Sequence, residues 1–193
     1  FLVIEQINEL DKKYQAILVE PIGRNTAPAV AAAAHYVKSI GDGEAVLLVL
    51  PADHELSNMK AFDSVLEKAF ISASIGDLIT FGIQPYESHT GYGYIKKGEF
   101  NGELNLHSVE KFVEKPDKKT AENFLESGNY LWNSGMFMFK ASCYLETLKL
   151  LAPEIFDKTK LAVDNSLKNM DFIKLSESEF SQSPSDSIDY AVM

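Results

Sequence analysis

The sequence predicts an α/β fold built on a mostly parallel, doubly wound sheet, and three observations carry that expectation. Ala45 to Leu50 is an unbroken apolar run of strand length, stopped by Pro51. Runs without polar alternation mark strands buried on both faces, as in the middle of a parallel sheet. Leu78 to Ile83 is a second such run, and Ala16 to Val19 a shorter one. Helical stretches alternate with these strands, which is the order that βαβ units impose.

Each element has a local cause. Val3, Ile7 and Leu10 fall at helical spacing, so Phe1 to Leu10 reads as a helix tail. Asn25 or Thr26 caps the next helix, and Pro28 is tolerated in its first turn. The interior of that helix, Ala31 to Ala34, is small enough to approach a sheet closely. A further helix carries Phe62, Val65, Leu66, Ala69, Phe70 and Ala73 as an apolar stripe. Short strands follow Pro85, one of them from Ser108 to Lys115. A helix starting near Pro116-Asp117 ends at Gly128. Tyr130 to Phe139 is an aromatic-rich strand interrupted by Asn133-Ser134-Gly135, which suggests a bulge or a close ligand approach. From Ala141 the pattern is helical, Pro153 opens a second helix, and Ser176 to Ser187 reads as a loop. With no internal repeat and no long linker, one domain is the economical count.

Composition narrows the function. The chain has 193 residues, 46% of them hydrophobic, and a formal net charge of -10. That charge argues against a non-specific nucleic-acid binder, which needs a basic face. No apolar run approaches the roughly 20 residues that span a bilayer. The single cysteine, Cys143, suits a reducing, cytoplasmic setting and reads as a small core residue.

Several polar residues stand where chemistry is placed in such folds. Ligands bind beyond the carboxyl ends of strands in open α/β sheets, and Asp53 sits there. Its ordinary alternative is to cap the helix starting near residue 58, although Ser57 and Asn58 compete for that role. Glu20 also ends a strand, where a carboxylate can accept paired hydrogen bonds from guanine N1–H and its exocyclic amine. A solvated loop acid is the commoner fate. The turn from Gly23 through Arg24, the only arginine, to Thr26 offers backbone N–H groups to a ribose or phosphate oxygen. Gly91 and Gly93 form a weak G-x-G, and Glu114-Lys115 is either a phosphate contact or an exposed ion pair. His35, His54, His89 and His107 show no metal-ligand spacing.

The order of these pieces is more specific than any one of them. Glu20-Pro21, Arg24-Asn25-Thr26-Ala27-Pro28-Ala29, Leu50-Pro51-Ala52-Asp53-His54 and Thr90-Gly91-Tyr92-Gly93-Tyr94-Ile95 resemble the bacterial mannose-1-phosphate guanylyltransferases. Phe112-Val113-Glu114-Lys115-Pro116-Asp117, Trp132-Asn133-Ser134-Gly135-Met136-Phe137 and Ser187-Ile188-Asp189-Tyr190-Ala191-Val192-Met193 extend the resemblance over essentially the whole chain. It implies a Rossmann-like, GT-A-like nucleotidyltransferase domain that makes GDP-mannose from GTP and mannose 1-phosphate with Mg²⁺.

By that resemblance Glu20 reads guanine, with Arg24, Asn25 and Thr26 supporting base and ribose, and Asp53 holds Mg²⁺. Gly91, Tyr92, Gly93, Glu114, Asn133, Ser134 and Gly135 line the sugar pocket, and Lys115 balances the sugar phosphate. A homodimer is compatible with the family. The family's glycine-rich signature loop and second metal-binding aspartate have no counterpart here. The chain is therefore expected to be an internal piece of the catalytic domain that lacks its first strands and is inactive alone. Either the missing strands come from polypeptide outside this sequence or, if these 193 residues are the whole molecule, strands 16–19 and 45–50 are expected to pair directly. A related nucleotidyltransferase with another base or sugar, or a non-catalytic sugar-nucleotide binder, are the alternatives.

Overall fold

The computed structural model describes residues 2–10, 13–169 and 172–193. In chain order the elements are α1 (Leu2–Glu9), β1 (Leu18–Val19), α2 (Thr26–Ser39), β2 (Val46–Val49), α3 (Met59–Ser74), β3 (Ile79–Ile83), β4 (Gly93–Asn101) and β5 (Leu106–Glu114). They continue as α4 (Lys118–Ser127), β6 (Tyr130–Lys140), α5 (Ala141–Leu151), α6 (Pro153–Asp164), β7 (Leu167–Lys168), β8 (Ile173–Lys174), α7 (Glu177–Phe180) and α8 (Ile188–Ala191). The helix expected over residues 1–10 is α1, and Phe1 lies outside the described residues. The chain divides into two compact units, Phe1–Gly43 with Leu145–Val192, and Glu44–Tyr144 with Met193.

The second unit is a mixed α/β layer organised by β6. One edge of β6 pairs with β2 through Val46↔Lys140 to Val49↔Phe137, and with β4 through Tyr94↔Trp132 to Lys96↔Tyr130. Its other edge pairs with β3, and β5 pairs with β4. All of these ladders are antiparallel. The mostly parallel arrangement expected from the alternation of elements is thus interrupted: β2 and β3 run the same way, but β6 lies between them. An apolar run reports burial and not its neighbour, and the apolar β6 takes the position that a parallel strand was expected to fill.

The expected direct pairing of strands 16–19 and 45–50 does not occur among the described residues. Instead β1 pairs in parallel with β8 in a separate three-stranded sheet, β1-β8-β7. Nor is the apolar run at 45–50 buried throughout, since Leu48 and Leu50 are 36% and 48% exposed. Among the described residues β2 has a strand on one edge only.

Helix α3 covers one sheet face with Phe62, Leu66, Ala69 and Ala73 against Val46, Ile79, Phe81, Met136 and Met138. That stripe is narrower than its sequence suggests, because Val65 and Phe70 point outward. Helix α4, capped by Asp117 and closed by Gly128, packs Ala121 and Phe124 on Tyr94 and Trp132. In the first unit the small residues of α2 meet helix α6, with Leu18 of β1 packed against the same cluster. Ala32 packs with Ala162 and Val163 of α6 and with Leu175 and Phe180. His35 is buried between the same helices, its Nε2 3.2 Å from the Phe156 carbonyl.

Candidate functional site

The sheet of the second unit sets three candidate residues, Asn133, Gly93 and Glu114, in one row with Gly82. Gly82 pairs with Asn133, and Gly93 with Glu114. One residue beyond the Tyr94–Trp132 pair, Gly93 falls opposite Asn133. Cross-strand partners share a sheet face, so two side chains with polar ends alternate with two glycines across β3, β6, β4 and β5. A Cβ on Gly93 would lie 2.6 Å from Glu114 Oε2 and 2.7 Å from Phe112 Cζ. Position 93 therefore has no side chain because the Glu114 carboxylate occupies the space above it.

The Asn133-Ser134-Gly135 interruption is a bulge. Thr80 pairs with Phe137 and Gly82 with Asn133, so the β6 side carries extra residues between these pairs. Ser134 is buried; its hydroxyl donates to the Phe81 carbonyl at 2.6 Å and accepts from Met136 N–H at 3.2 Å. Gly135 takes φ 69, a left-handed conformation that glycine adopts without penalty. Asn133 Oδ1 accepts from Thr80 Oγ1 at 3.2 Å and from Gly135 N–H at 3.4 Å, which fixes the carboxamide plane.

Strand β5 ends at Glu114, and Lys115 turns out of it with φ 43. A residue before proline is normally extended, so this is a costly conformation, of order 1–3 kcal/mol. Lys115 Nζ lies 3.4 Å from Glu114 Oε1, both groups being accessible to solvent. The backbone is tied to the glycine segment, because Lys115 N–H donates to the Tyr92 carbonyl at 3.2 Å. Gly91 N–H donates to His89 Nδ1 at 3.0 Å, and the His89 ring stacks on Tyr92.

Asp53 is exposed in the segment that follows β2. Its capping alternative is excluded, since Asn58 caps α3 and accepts from Ala61 N–H. Among the described residues no hydrogen bond or ion pair engages Asp53, and no three His, Cys, Asp or Glu side chains form a cluster able to hold a metal. A lone carboxylate nevertheless suits Mg²⁺, which keeps several waters and takes one or two protein carboxylates beside substrate phosphates.

The remaining candidates lie in the first unit. Glu20 follows β1 directly, and partial loss of hydration raises its pKa above the ordinary glutamate value. Asn25 has φ 67 with ψ -172, a combination that residues with a side chain rarely adopt, and its Oδ1 accepts from Thr26 N–H at 2.8 Å. The α2 start is less open to a ligand than its sequence suggests. Ala27 N–H donates to the Asp186 carbonyl at 3.1 Å, and Thr26 Oγ1 accepts from Ile188 N–H at 3.0 Å. Arg24 Nη2 donates to the Ser181 carbonyl, while its buried Nε has no hydrogen-bond partner among the described residues.

Within the second unit the structure thus aligns Gly93, Glu114 and Asn133, and ties the Lys115 backbone to Tyr92. Glu20 through Thr26 lie together in the first. Sequence reasoning missed Thr80, which orients Asn133, and the segment Ser181–Ile188, which holds Arg24 and Thr26. Thr80 carries no distinguishing signal, but Ser187-Ile188-Asp189-Tyr190 is itself one of the motifs. Among the described residues no helix is long and apolar enough to cross a membrane.

A family model described as nucleotidyl transferase matches residues 1–177. Over its whole length the chain is 48% identical to mannose-1-phosphate guanylyltransferase RfbM of Salmonella typhimurium. It is 49% identical to the xanthan biosynthesis protein XanB of Xanthomonas campestris pv. campestris. The chain spans 40% of the length of each of these relatives. A solved structure described as mannose-6-phosphate isomerase from Helicobacter pylori superposes with a TM-score of 0.86 at 33% identity, over 100% of this chain and 73% of that one. A second, described as mannose-1-phosphate geranyltransferase from Thermus thermophilus, gives 0.80 at 28% identity, over 97% and 52%.

Proposed function

This chain belongs to the nucleotidyl transferase family, and from that membership we propose that it serves the synthesis of GDP-mannose. GTP and mannose 1-phosphate are the substrates. An oxygen of the sugar phosphate attacks the α-phosphorus of GTP, a new P–O bond forms, the bond to the β-phosphate breaks, and pyrophosphate leaves. No covalent nucleophile on the protein is needed, so the barrier falls by positioning and charge neutralisation.

The observation that carries the sugar side is the row of Gly93, Asn133 and Glu114, with Lys115 at its end. A hexose over such a floor meets the Glu114 carboxylate, which lies above Gly93, and the Asn133 carboxamide as hydrogen-bonding partners. Gly91, Tyr92, Ser134 and Gly135 shape the floor. Lys115 keeps a left-handed conformation at a cost, and a cation held beside the sugar phosphate accounts for it. In the first unit Glu20 reads guanine and Asn25 supports the ribose. Glu20 is exposed directly after β1, so both of its carboxylate oxygens can accept from a paired donor. Asp53 is the Mg²⁺ ligand. When bound, the ion neutralises the triphosphate and withdraws charge from the α-phosphorus.

The likeness to the xanthan biosynthesis protein XanB supports a polysaccharide setting. Its members act in the cytoplasm by this reading, and a homodimer is compatible with it. The test is a nucleotide competition in the intact natural protein, with Mg²⁺ and mannose 1-phosphate present. Pyrophosphate release from GTP should exceed release from ATP or UTP by at least roughly a hundredfold, the value of two good polar discriminations. Equal use of all three would remove Glu20 as a base reader and favour a nucleotidyltransferase of other specificity.

A further inference from the structure

We infer that Arg24 and Thr26 are positioning residues: they hold the Glu20–Asn25 loop by gripping the segment Ser181–Ile188, and thereby set nucleotide affinity without touching nucleotide. The inference rests on the reading of Glu20 and Asn25 as the base- and ribose-binding residues.

Three contacts make the grip. Arg24 Nη2 donates to the Ser181 carbonyl just past α7. Ala27 N–H donates to the Asp186 carbonyl at 3.1 Å. Thr26 Oγ1 accepts from Ile188 N–H at 3.0 Å, across 162 residues of sequence. The first N–H groups of a helix have no partner within it. Here the start of α2 is satisfied by the segment before α8, and the start of α8 by the first residue of α2, so each helix caps the other. Ala27 and Ile188 are both fully buried beside these bonds, where an unmade bond is costly. Ser187 completes the second helix start by accepting from Tyr190 N–H.

The loop has little else to hold it. Gly23 would accept a Cβ without meeting any atom within 4 Å, and Ile22 is 46% exposed. Asn25 stands at φ 67 directly before the grip, and a residue in that conformation persists only when its surroundings fix it. Residues on either side of Asn25 supply those surroundings. The Thr26 hydroxyl and the Arg24 Nη2 each already make a bond to the main chain of the segment.

The experiment compares the intact natural protein with its Thr26→Val variant, which removes the acceptor, and its Thr26→Ser variant, which keeps it. Amide hydrogen exchange is followed without nucleotide, and GTP binding by titration with Mg²⁺ present. Thr26→Val should speed exchange of the Ile188 amide about tenfold and weaken GTP about fivefold, as loss of one ordinary hydrogen bond implies. Thr26→Ser should restore both. Unchanged Ile188 exchange in Thr26→Val overturns the grip, and faster exchange with unchanged GTP affinity overturns the positioning role. If Thr26→Val fails to fold, Arg24→Gln provides the same comparison at the amides of Gln182 and Ser183. Failure of the unsubstituted intact protein to bind GTP would remove the nucleotide reading and the affinity claim with it, while the exchange result still judges the grip alone.

Discussion

Replacing Gly93 by alanine tests the sugar floor at the point where the geometry is tightest. The new Cβ would stand 2.6 Å from Glu114 Oε2 and 2.7 Å from Phe112 Cζ, distances at which something must move. Phe112 is half-buried on β5, and its pairing with Ile95 limits its freedom. The carboxylate of Glu114 is therefore the group that swings away, taking its contact with Lys115 along. Overpacking of this kind destabilises by about 1–3 kcal/mol. Losing a hydrogen bond to a charged group costs the ligand a further 1.5–3 kcal/mol or so, which is roughly a ten- to hundredfold weaker affinity.

Urea denaturation and calorimetric titration with GDP-mannose read the two effects separately. Gly102→Ala is the control, because its Cβ would meet only Phe100 at an ordinary 3.6 Å. That variant should change stability by less than about 0.5 kcal/mol. A Gly93→Ala protein with unaltered denaturation midpoint and unaltered GDP-mannose affinity would refute the reasoning, since neither the close approach nor the sugar role would survive it.

Three further outcomes are expected. Lys115→Gly relieves φ 43, so the protein should be at least as stable as the parent, yet turnover should fall at least tenfold; a loss of stability without loss of turnover would show the strain to be structural. Asp53→Asn should leave the thermal midpoint unchanged, because among the described residues nothing bonds Asp53, and should raise the Mg²⁺ concentration needed for half-maximal rate; an unchanged Mg²⁺ requirement removes Asp53 from the metal site. His35 is held down to about 4 by burial first, opposed by its bond to the Phe156 carbonyl and by Asp164, with Lys160 and Lys38 adding to the depression. Its folded pKa lies below the unfolded value, so its neutral form is favoured by folding. Stability is complete above about pH 6.5 and falls as pH drops towards 4, by roughly 3 kcal/mol in all. Denaturation of His35→Gln should lack that slope, and an equal slope in both proteins would clear His35 of the effect.

Much of the local structure was legible because its causes are local. Asn25 and Asp117 as helix caps, Pro153 as a helix opener, Gly128 as a terminator and the bulge at Asn133-Ser134-Gly135 all follow from nearest-neighbour chemistry. What stayed hidden depends on distant partners. The apolar run at 45–50 says that a strand forms, but its antiparallel neighbour is β6, about ninety residues on in the chain. The alanines of α2 fit a close sheet or a close helix equally well, and α6 decides between them. Thr26 looks available in sequence because Ile188, which occupies it, is 162 residues away. Lys115 departs from the extended conformation that Pro116 favours, and local rules point the other way.

The central claim is a single reaction, and ³¹P NMR of the intact natural protein with GTP, mannose 1-phosphate and Mg²⁺ tests it most directly. The resonances of both substrates should decline together while GDP-mannose and pyrophosphate grow in equal amounts. Consumption of GTP to GDP and inorganic phosphate with mannose 1-phosphate untouched would contradict the account, as would no consumption at all.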